Sequence, residues 1–176
     1  MPRWILGFCA ILVPACGSVN LRSDPGYPTD PTPWAPQILC VSPDFEPQEG
    51  MIEAVREALG EWGVHDWEVI GEYRPGCVPI RVAPPDEVET WPSGWIAVTK
   101  ISRRTGVPQD LAIDGTWFLE CPWARWATLV HEVGHAVGHA GHRLSGAMRP
   151  DIGCYQISAQ VSHEDRADAR DRRMGR

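Results

Sequence analysis

The segment from His131 to His142 constrains the fold of this 176-residue chain more than any other part of it. His131 and His135 are four residues apart, and positions with this spacing lie one above the other on the same face of an α-helix. Both imidazoles can therefore reach one cation from a single helix. Glu132 is rotated by about 100° around that helix, so it lies beside the site without being a ligand. The pattern predicts a helix that carries a metal site.

Two histidines do not make a catalytic zinc site, which takes three protein ligands and keeps one position open, and the chain continues with His139 and His142. On a continuous helix, His139 would lie about 12 Å from His131 along the axis, which is too far for one ion. His142 comes three residues later, so the chain has enough length after the helix to bring its imidazole back to His131 and His135. We therefore expect His142 to complete the ligand set with His131 and His135. His139 is the alternative third ligand.

The residue types in this pattern predict a hydrolytic site. Zinc suits three neutral imidazoles, although other first-row ions can occupy such sites. A zinc ion lowers the pKa of a bound water to about 7. Glu132 can then accept the proton of that water as it attacks a polarised carbonyl, and pass the proton to the leaving amine. We expect one Zn²⁺ ion as cofactor and Glu132 as the catalytic residue.

The residues from His131 to Pro150 resemble the metzincin clan of zinc metallopeptidases, whose pattern is H-E-x-x-H-x-x-G-x-x-H followed by a Met-turn. Gly138 matches the glycine of that pattern. Met148 matches the methionine of the Met-turn, which forms an apolar floor beneath the metal. The third histidine of the family would fall at Gly141, and this chain has His142 one residue later.

The resemblance implies a zinc-dependent metalloendopeptidase that acts on a peptide or protein substrate. It implies an α+β, metzincin-like fold with a twisted mixed sheet, a backing helix, a zinc-binding active-site helix and a small C-terminal subdomain. It also implies that an edge strand between Gly94 and Ile113 pairs with the substrate.

The hydrophobic pattern predicts the other elements. Apolar residues at helical spacing predict a helix over 49–62. Short apolar runs between proline and glycine residues predict strands. These strands cover residues 67–73, 78–83, 94–101 and 111–113. A long helix over 123–138 carries the first histidines, and a charged helix covers 158–173.

Residues 1–15 resemble the signal peptide of bacterial lipoproteins. Arg3 precedes an apolar run over 4–13 that is too short to span a membrane permanently. The run leads to Cys16 in a sequence similar to a lipobox, and in that family this cysteine becomes the lipidated first residue. An ordinary cleaved signal peptide is the alternative.

The domain organisation follows from this interpretation. Residues 21–47 contain seven prolines, which favours an extended tether over 16–47. We expect residues 48–176 to form the metzincin-like catalytic domain. The chain is expected to be exported and anchored through Cys16 to the bacterial outer or cytoplasmic membrane, facing the periplasm or the exterior.

Four of the six cysteines follow the lipobox. An even number of cysteines in an exported domain predicts disulfide bonds, and four allow three pairings. The favoured pairs are Cys40–Cys77 and Cys121–Cys154. A zinc ribbon is the rival interpretation, but the sequence has no C-x-x-C pair to support it.

Charge and composition exclude other classes. The formal net charge of −7 argues against nucleic-acid binding, which needs a basic face to neutralise phosphates. No apolar segment after the N-terminus reaches the length of a membrane span, which excludes a multi-span transporter. We expect a monomer whose partners are the substrate and a membrane.

Two other functions are compatible with the motif. In gluzincin-type zinc peptidases a downstream glutamate is the third ligand, and Glu164 has the required spacing. Most carboxylates on that charged helix, however, are expected to form a solvated face. The chain could instead be a catalytically inactive, zinc-containing surface lipoprotein that binds a partner. The extra residue before His142 favours that hypothesis, and the presence of Glu132 opposes it.

Overall fold

The computed structural model describes residues 34–102, 105–139, 141–143, 145–149, 152–156 and 159–175. These residues form an α+β fold in which one five-stranded mixed sheet packs against helices. The prediction of an α+β fold with a mixed sheet is confirmed. The predicted signal peptide, Cys16 and the first part of the predicted tether lie outside the described residues.

The strands are β1 (Ile38–Val41), β2 (Glu68–Ile70), β3 (Val78–Ala83), β4 (Ala97–Ile101) and β5 (Pro108–Asp114). The helices are α1 (Gln48–Glu61), α2 (Pro85–Val88), α3 (Gly115–Glu120), α4 (Arg125–Ala136) and α5 (His163–Arg173). A short 3₁₀ turn over Pro122–Ala124 precedes α4, so this helix begins two residues later than the sequence predicts. The α5 helix begins at His163 because the Ser162 side chain caps it.

The strands follow the order β2-β1-β3-β5-β4 across the sheet. Neighbouring strands are parallel, except that β4 runs antiparallel to β5 at one edge. The inner strands bury Leu39, Ile80 and Ile113 almost completely, as inner parallel strands require. The edge strand β4 leaves one row of backbone groups turned away from the sheet.

Strand β1 lies within the segment predicted as a tether over 16–47. Ile38–Val41 pairs with β2 on one side and with β3 on the other, so it lies inside the sheet. The folded part of the chain therefore begins before residue 48, and we correct the predicted boundary accordingly. A four-residue apolar run between prolines has a weak local signal, and its stability as a strand comes from its two neighbours.

Helices α1 and α4 pack against each other and against the sheet. The α1 helix buries one apolar stripe, formed by Met51, Val55, Ala58 and Leu59. The α4 helix is buried on all sides, because every residue from Ala127 to Ala136 is buried. The polar side chains on α4 must therefore find their partners inside the protein.

Gly134 lets α4 approach its neighbours closely. A β-carbon at this position would overlap Cζ2 of Trp62 and would lie 2.7 Å from Sδ of Met148. The indole N–H of Trp62 donates to the Val130 carbonyl at 2.8 Å, which fixes the ring against the helix. Position 134 therefore requires the smallest residue.

Two disulfide bonds join Cys40 to Cys77 and Cys121 to Cys154, which are the favoured pairs. The first links β1 to the residue before β3, with 5.9 Å between the Cα atoms. The second links the end of α3 to the segment after Met148. Disulfides persist mainly in oxidising compartments, so both are consistent with an exported protein.

We predict that Gly134→Ala destabilises the fold and that Gly60→Ala does not. Extra atoms forced into a packed core cost about 1–3 kcal/mol, and the new methyl group at 134 meets Trp62 and Met148. A β-carbon at Gly60 in α1 has nothing within 4 Å, and alanine there gains up to about 1 kcal/mol. Urea unfolding of both variants measures the difference. Two variants of equal stability would contradict the close approach at Gly134.

Candidate metal centre

Three imidazoles converge at the end of α4. His131 and His135 extend from successive turns of the helix, and His142 returns to them from the following segment. Nε2 of His131 lies 3.0 Å from Nε2 of His135 and 3.2 Å from Nε2 of His142. One ligand atom from each ring lies within 4.8 Å of the others. The three rings could therefore hold one metal ion.

Backbone carbonyls fix the orientation of the two helical imidazoles. Nδ1 of His131 lies 2.8 Å from the Ala147 oxygen, and Nδ1 of His135 lies 3.0 Å from the His139 oxygen. A carbonyl only accepts, so each Nδ1 donates, and in a neutral ring Nε2 then keeps its lone pair. Two such nitrogens cannot hydrogen-bond to each other across 3.0 Å, whereas a shared cation attracts both.

The donor set fits zinc. A tetrahedral zinc ion with bonds of about 2.1 Å holds its ligand nitrogens about 3.4 Å apart. The observed separations of 3.0 and 3.2 Å are close to that value. Hydrogen bonds from the second ring nitrogen to backbone carbonyls are typical of metal-binding histidines, because they fix the tautomer and the ring orientation.

The three imidazoles are held in the neutral form that binds metals. Burial lowers the pKa of His131 well below its usual value, and the neighbouring imidazoles add to this shift. Burial likewise lowers the pKa of His135 to about 3. His142 is half-exposed, and its partial burial also lowers its pKa. At neutral pH, protons therefore do not compete strongly with a metal.

The chain reverses at Gly138, two residues after the end of α4. Gly138 has a φ of +106°, in the region that favours glycine. A β-carbon there would lie 3.3 Å from the Ala169 carbonyl oxygen, so α5 packs closely against the reversal. The reversal brings His142 alongside His131, where the two rings stack with centroids 5.1 Å apart.

His139, the alternative third ligand, lies outside this group. Its Nε2 is 3.0 Å from a carboxylate oxygen of Asp165, and its Nδ1 is 2.9 Å from the Gly141 oxygen. Glu164, the ligand expected in a gluzincin-type site, is exposed on α5. Among the residues that the structure describes, the group able to hold a metal has His142 as its third member.

Glu132 is fully buried on α4. The Thr99 hydroxyl donates to Oε2 of Glu132 at 2.7 Å and also lies 3.3 Å from the Glu132 carbonyl oxygen. Because Thr99 belongs to β4, the carboxylate is held on the side of α4 that faces the edge strand. Glu132 is not a member of the metal-binding group, which agrees with a role other than ligand.

The segment over 145–149 supports the cluster. Met148 is fully buried and packs against Gly134, in the helical turn between the two histidines of α4. The preceding residue, Ala147, supplies the carbonyl that accepts from His131. The Arg143 backbone N–H donates to the Met148 oxygen at 2.7 Å, which ties this segment to the residue after His142.

Three partners around the site were not predicted from the sequence: Thr99, Ala147 and Asp165. Thr99 carries a signal, because it is a polar residue within an apolar run. Asp165 carries one too, since Ser162 three residues earlier forms a helix-capping pattern with it. Ala147 acts through its backbone, which leaves no signal in the sequence.

No protein-family model matches the chain, and no curated protein matches it. Within the described ranges, none of the helices has both the length and the apolar character needed to cross a membrane. What the site can do must therefore be inferred from its own side chains.

We predict that the stability of the chelator-treated protein falls as the pH is lowered from about 7 to 5. In this range the unfolded state protonates histidines with the usual pKa of about 6.5, whereas His131 and His135 stay neutral in the fold. The unfolded state then binds more protons, so the free energy of unfolding rises with pH. Each such histidine contributes up to about 1.4 kcal/mol per pH unit, which urea unfolding at several pH values can measure.

His135→Gln should reduce this slope, because it removes one buried titrating group. His65→Gln is the matched control, since His65 is exposed on the surface. The slope is compared rather than the stability itself, because His135→Gln also changes packing. If the slope of His135→Gln equals that of the wild type, burial does not hold this imidazole neutral.

Proposed function

We propose that this protein is a zinc-dependent metalloendopeptidase similar in design to the metzincins. The observation that carries the proposal is the group of three buried or half-buried imidazoles whose Nε2 atoms converge, two of them on the helix that also carries the buried Glu132. His131, His135 and His142 hold the ion, and Met148 supports the helix turn from beneath. Among the described residues the group has three members, which is the number of protein ligands in catalytic zinc sites, whereas structural sites have four.

Glu132 is the catalytic residue of this proposal. When bound, the zinc ion supplies Lewis acidity that polarises the substrate carbonyl and acidifies a water molecule. Glu132 accepts a proton from the attacking water and then donates it to the leaving amine. The Thr99 hydroxyl donates to Oε2 of Glu132 at 2.7 Å and helps to hold the carboxylate in place for this transfer.

We assign substrate binding to the edge strand β4. It lies at the end of the sheet and has β5 as its antiparallel neighbour. Thr99 lies in β4 and bonds to Glu132, so a peptide paired along the outer edge of β4 runs past the catalytic carboxylate. Main-chain pairing of this kind binds extended peptides, and pockets for alternate side chains add specificity.

Export and membrane anchoring rest on separate observations. The two disulfides favour an oxidising compartment. The anchor, a lipid on Cys16, is proposed from the resemblance of residues 13–18 to a lipobox. In this arrangement a monomeric peptidase is held at the outer or cytoplasmic membrane and faces the periplasm or the exterior.

Two alternative functions lead to different experimental outcomes. A gluzincin-type site would need Glu164 as the third ligand in place of His142. A catalytically inactive, zinc-containing lipoprotein would bind the metal and hydrolyse nothing. The complete burial of Glu132 is the observation that favours this second alternative, because a general base must reach water and substrate.

We predict that Glu132→Gln keeps the metal and loses peptide hydrolysis by about 100- to 10,000-fold, because the general base is removed and the ligands remain. His142→Ala should lower zinc affinity by more than about 100-fold, because it removes a ligand. The loss of a residue that only hydrogen-bonds to a ligand costs less than this. Metal content after dialysis and hydrolysis of an unfolded protein or a peptide library measure the two effects.

Glu164→Gln is the control, because Glu164 is an exposed carboxylate on α5. It should bind zinc and hydrolyse peptides as the wild type does. Loss of zinc in Glu164→Gln with normal binding in His142→Ala would establish the gluzincin-type alternative. Full zinc occupancy of the wild type without hydrolysis of any substrate would favour the inactive binding protein.

A further inference from the structure

His139 lies at the centre of a buried set of hydrogen bonds between the metal centre and α5. His139 and Asp165 are each only 3% exposed. Nε2 of His139 lies 3.0 Å from Oδ1 of Asp165, and Nδ1 lies 2.9 Å from the Gly141 oxygen. The Gly141 backbone N–H also lies 3.5 Å from Nδ1, so both ring nitrogens of His139 have partners.

His139 contacts the surroundings of two of the three histidines. Its backbone oxygen accepts from Nδ1 of His135 at 3.0 Å. The Gly141 oxygen that its side chain contacts belongs to the peptide bond joining Gly141 to His142. His139 therefore orients one imidazole through its main chain and restrains the backbone of the other through its side chain.

Asp165 restrains the chain on both sides of His142. The same Oδ1 atom that faces His139 also accepts from Nε of Arg143 at 3.1 Å, and Arg143 directly follows His142. Asp165 is itself fixed, because its backbone N–H donates to the capping Ser162 hydroxyl at 3.0 Å. One buried carboxylate thus contacts the residues that precede and follow the loop carrying the third imidazole.

Trp62 encloses the His139 ring from another direction. The two ring centroids are 5.6 Å apart, with the planes tilted by 54°. The same indole packs against Gly134 of α4. His139 is therefore held by the end of α1, the end of α4 and the first half of α5, and it has little freedom to move.

We propose that His139 and Asp165 form a positioning pair for the metal centre. The pair holds the chain after Gly138 so that the His142 ring reaches His131 and His135. In this way the chain can have one residue more before its third histidine than the H-x-x-G-x-x-H pattern has. The inference rests on the proposed metal site. It concerns metal affinity and ligand geometry, and it does not depend on peptide hydrolysis.

The test is metal affinity in the full chain, measured by titration with Co²⁺ and competition with Zn²⁺. His139→Ala and Asp165→Ala should each weaken binding by about 10- to 100-fold, the usual effect of losing an outer contact of a metal ligand. The double variant should lose less affinity than the two single variants' losses combined, because each substitution alone already breaks the hydrogen bond between His139 and Asp165. The visible spectrum of bound Co²⁺ should shift in each variant, since it reports the ligand geometry.

Asp168→Ala is the matched control. Asp168 also lies on α5 and also binds Arg143, at 2.6 Å, but its side chain is 60% exposed. It should bind Co²⁺ and Zn²⁺ as the wild type does. His139→Gln is the conservative variant, because its amide can still donate to Asp165, and it should recover part of the affinity lost in His139→Ala.

Circular dichroism of the metal-free variants checks that each one folds. If an alanine variant does not fold, His139→Gln and Asp165→Asn replace it, and each should bind metal more weakly than the wild type. Wild-type affinity in the folded variants overturns the positioning pair and leaves the proposed metal site intact. Equal weakening in Asp168→Ala, or additive losses in the double variant, also overturn the pair. A wild type that binds neither ion contradicts the proposed function itself.

Discussion

Imidazole rings that are buried in a protein must remain neutral and must still satisfy both of their nitrogens. In this fold, the Nδ1 atoms of His131 and His135 meet this requirement with backbone carbonyls. The Nε2 atoms are then left to face one another and the third imidazole of His142. A cation shared by the three nitrogens satisfies them together. The rest of the site is arranged around this requirement.

The two carbonyls that accept from His131 and His135 belong to different parts of the chain. Both parts must be held in place for the two imidazoles to keep their orientation. Ala147 belongs to the segment beneath α4, and His139 belongs to the reversal after it. The Cys121–Cys154 disulfide ties the residues before α4 to the chain beyond Met148. Asp165 ties the reversal to α5. The imidazoles are thus oriented by covalent and hydrogen-bonded links that close around the end of one helix.

How far the sequence predicts this site depends on the distance over which each contact acts. His131, Glu132 and His135 are related by helical spacing alone, so their arrangement could be read directly. His142 reaches the other two imidazoles only if the chain reverses direction. Gly138 predicts that reversal but not the position to which the chain returns. The contacts of Thr99 and Asp165 with the motif join residues more than 20 positions apart, and no local pattern encodes such pairs. Strand β1 was missed for the same reason, because its stability comes from two neighbours distant in sequence.

The burial of Glu132 bears on how this carboxylate and a bound metal ion would depend on each other. A carboxylate inside a protein is stabilised by hydrogen bonds and by opposite charge, and the Thr99 hydroxyl donates one hydrogen bond to Glu132. Neutral imidazoles bring a positive charge to the site only through a cation that they bind. A divalent ion held by the histidines would place a positive charge beside the same helical turn as Glu132. The metal and the glutamate would then stabilise each other.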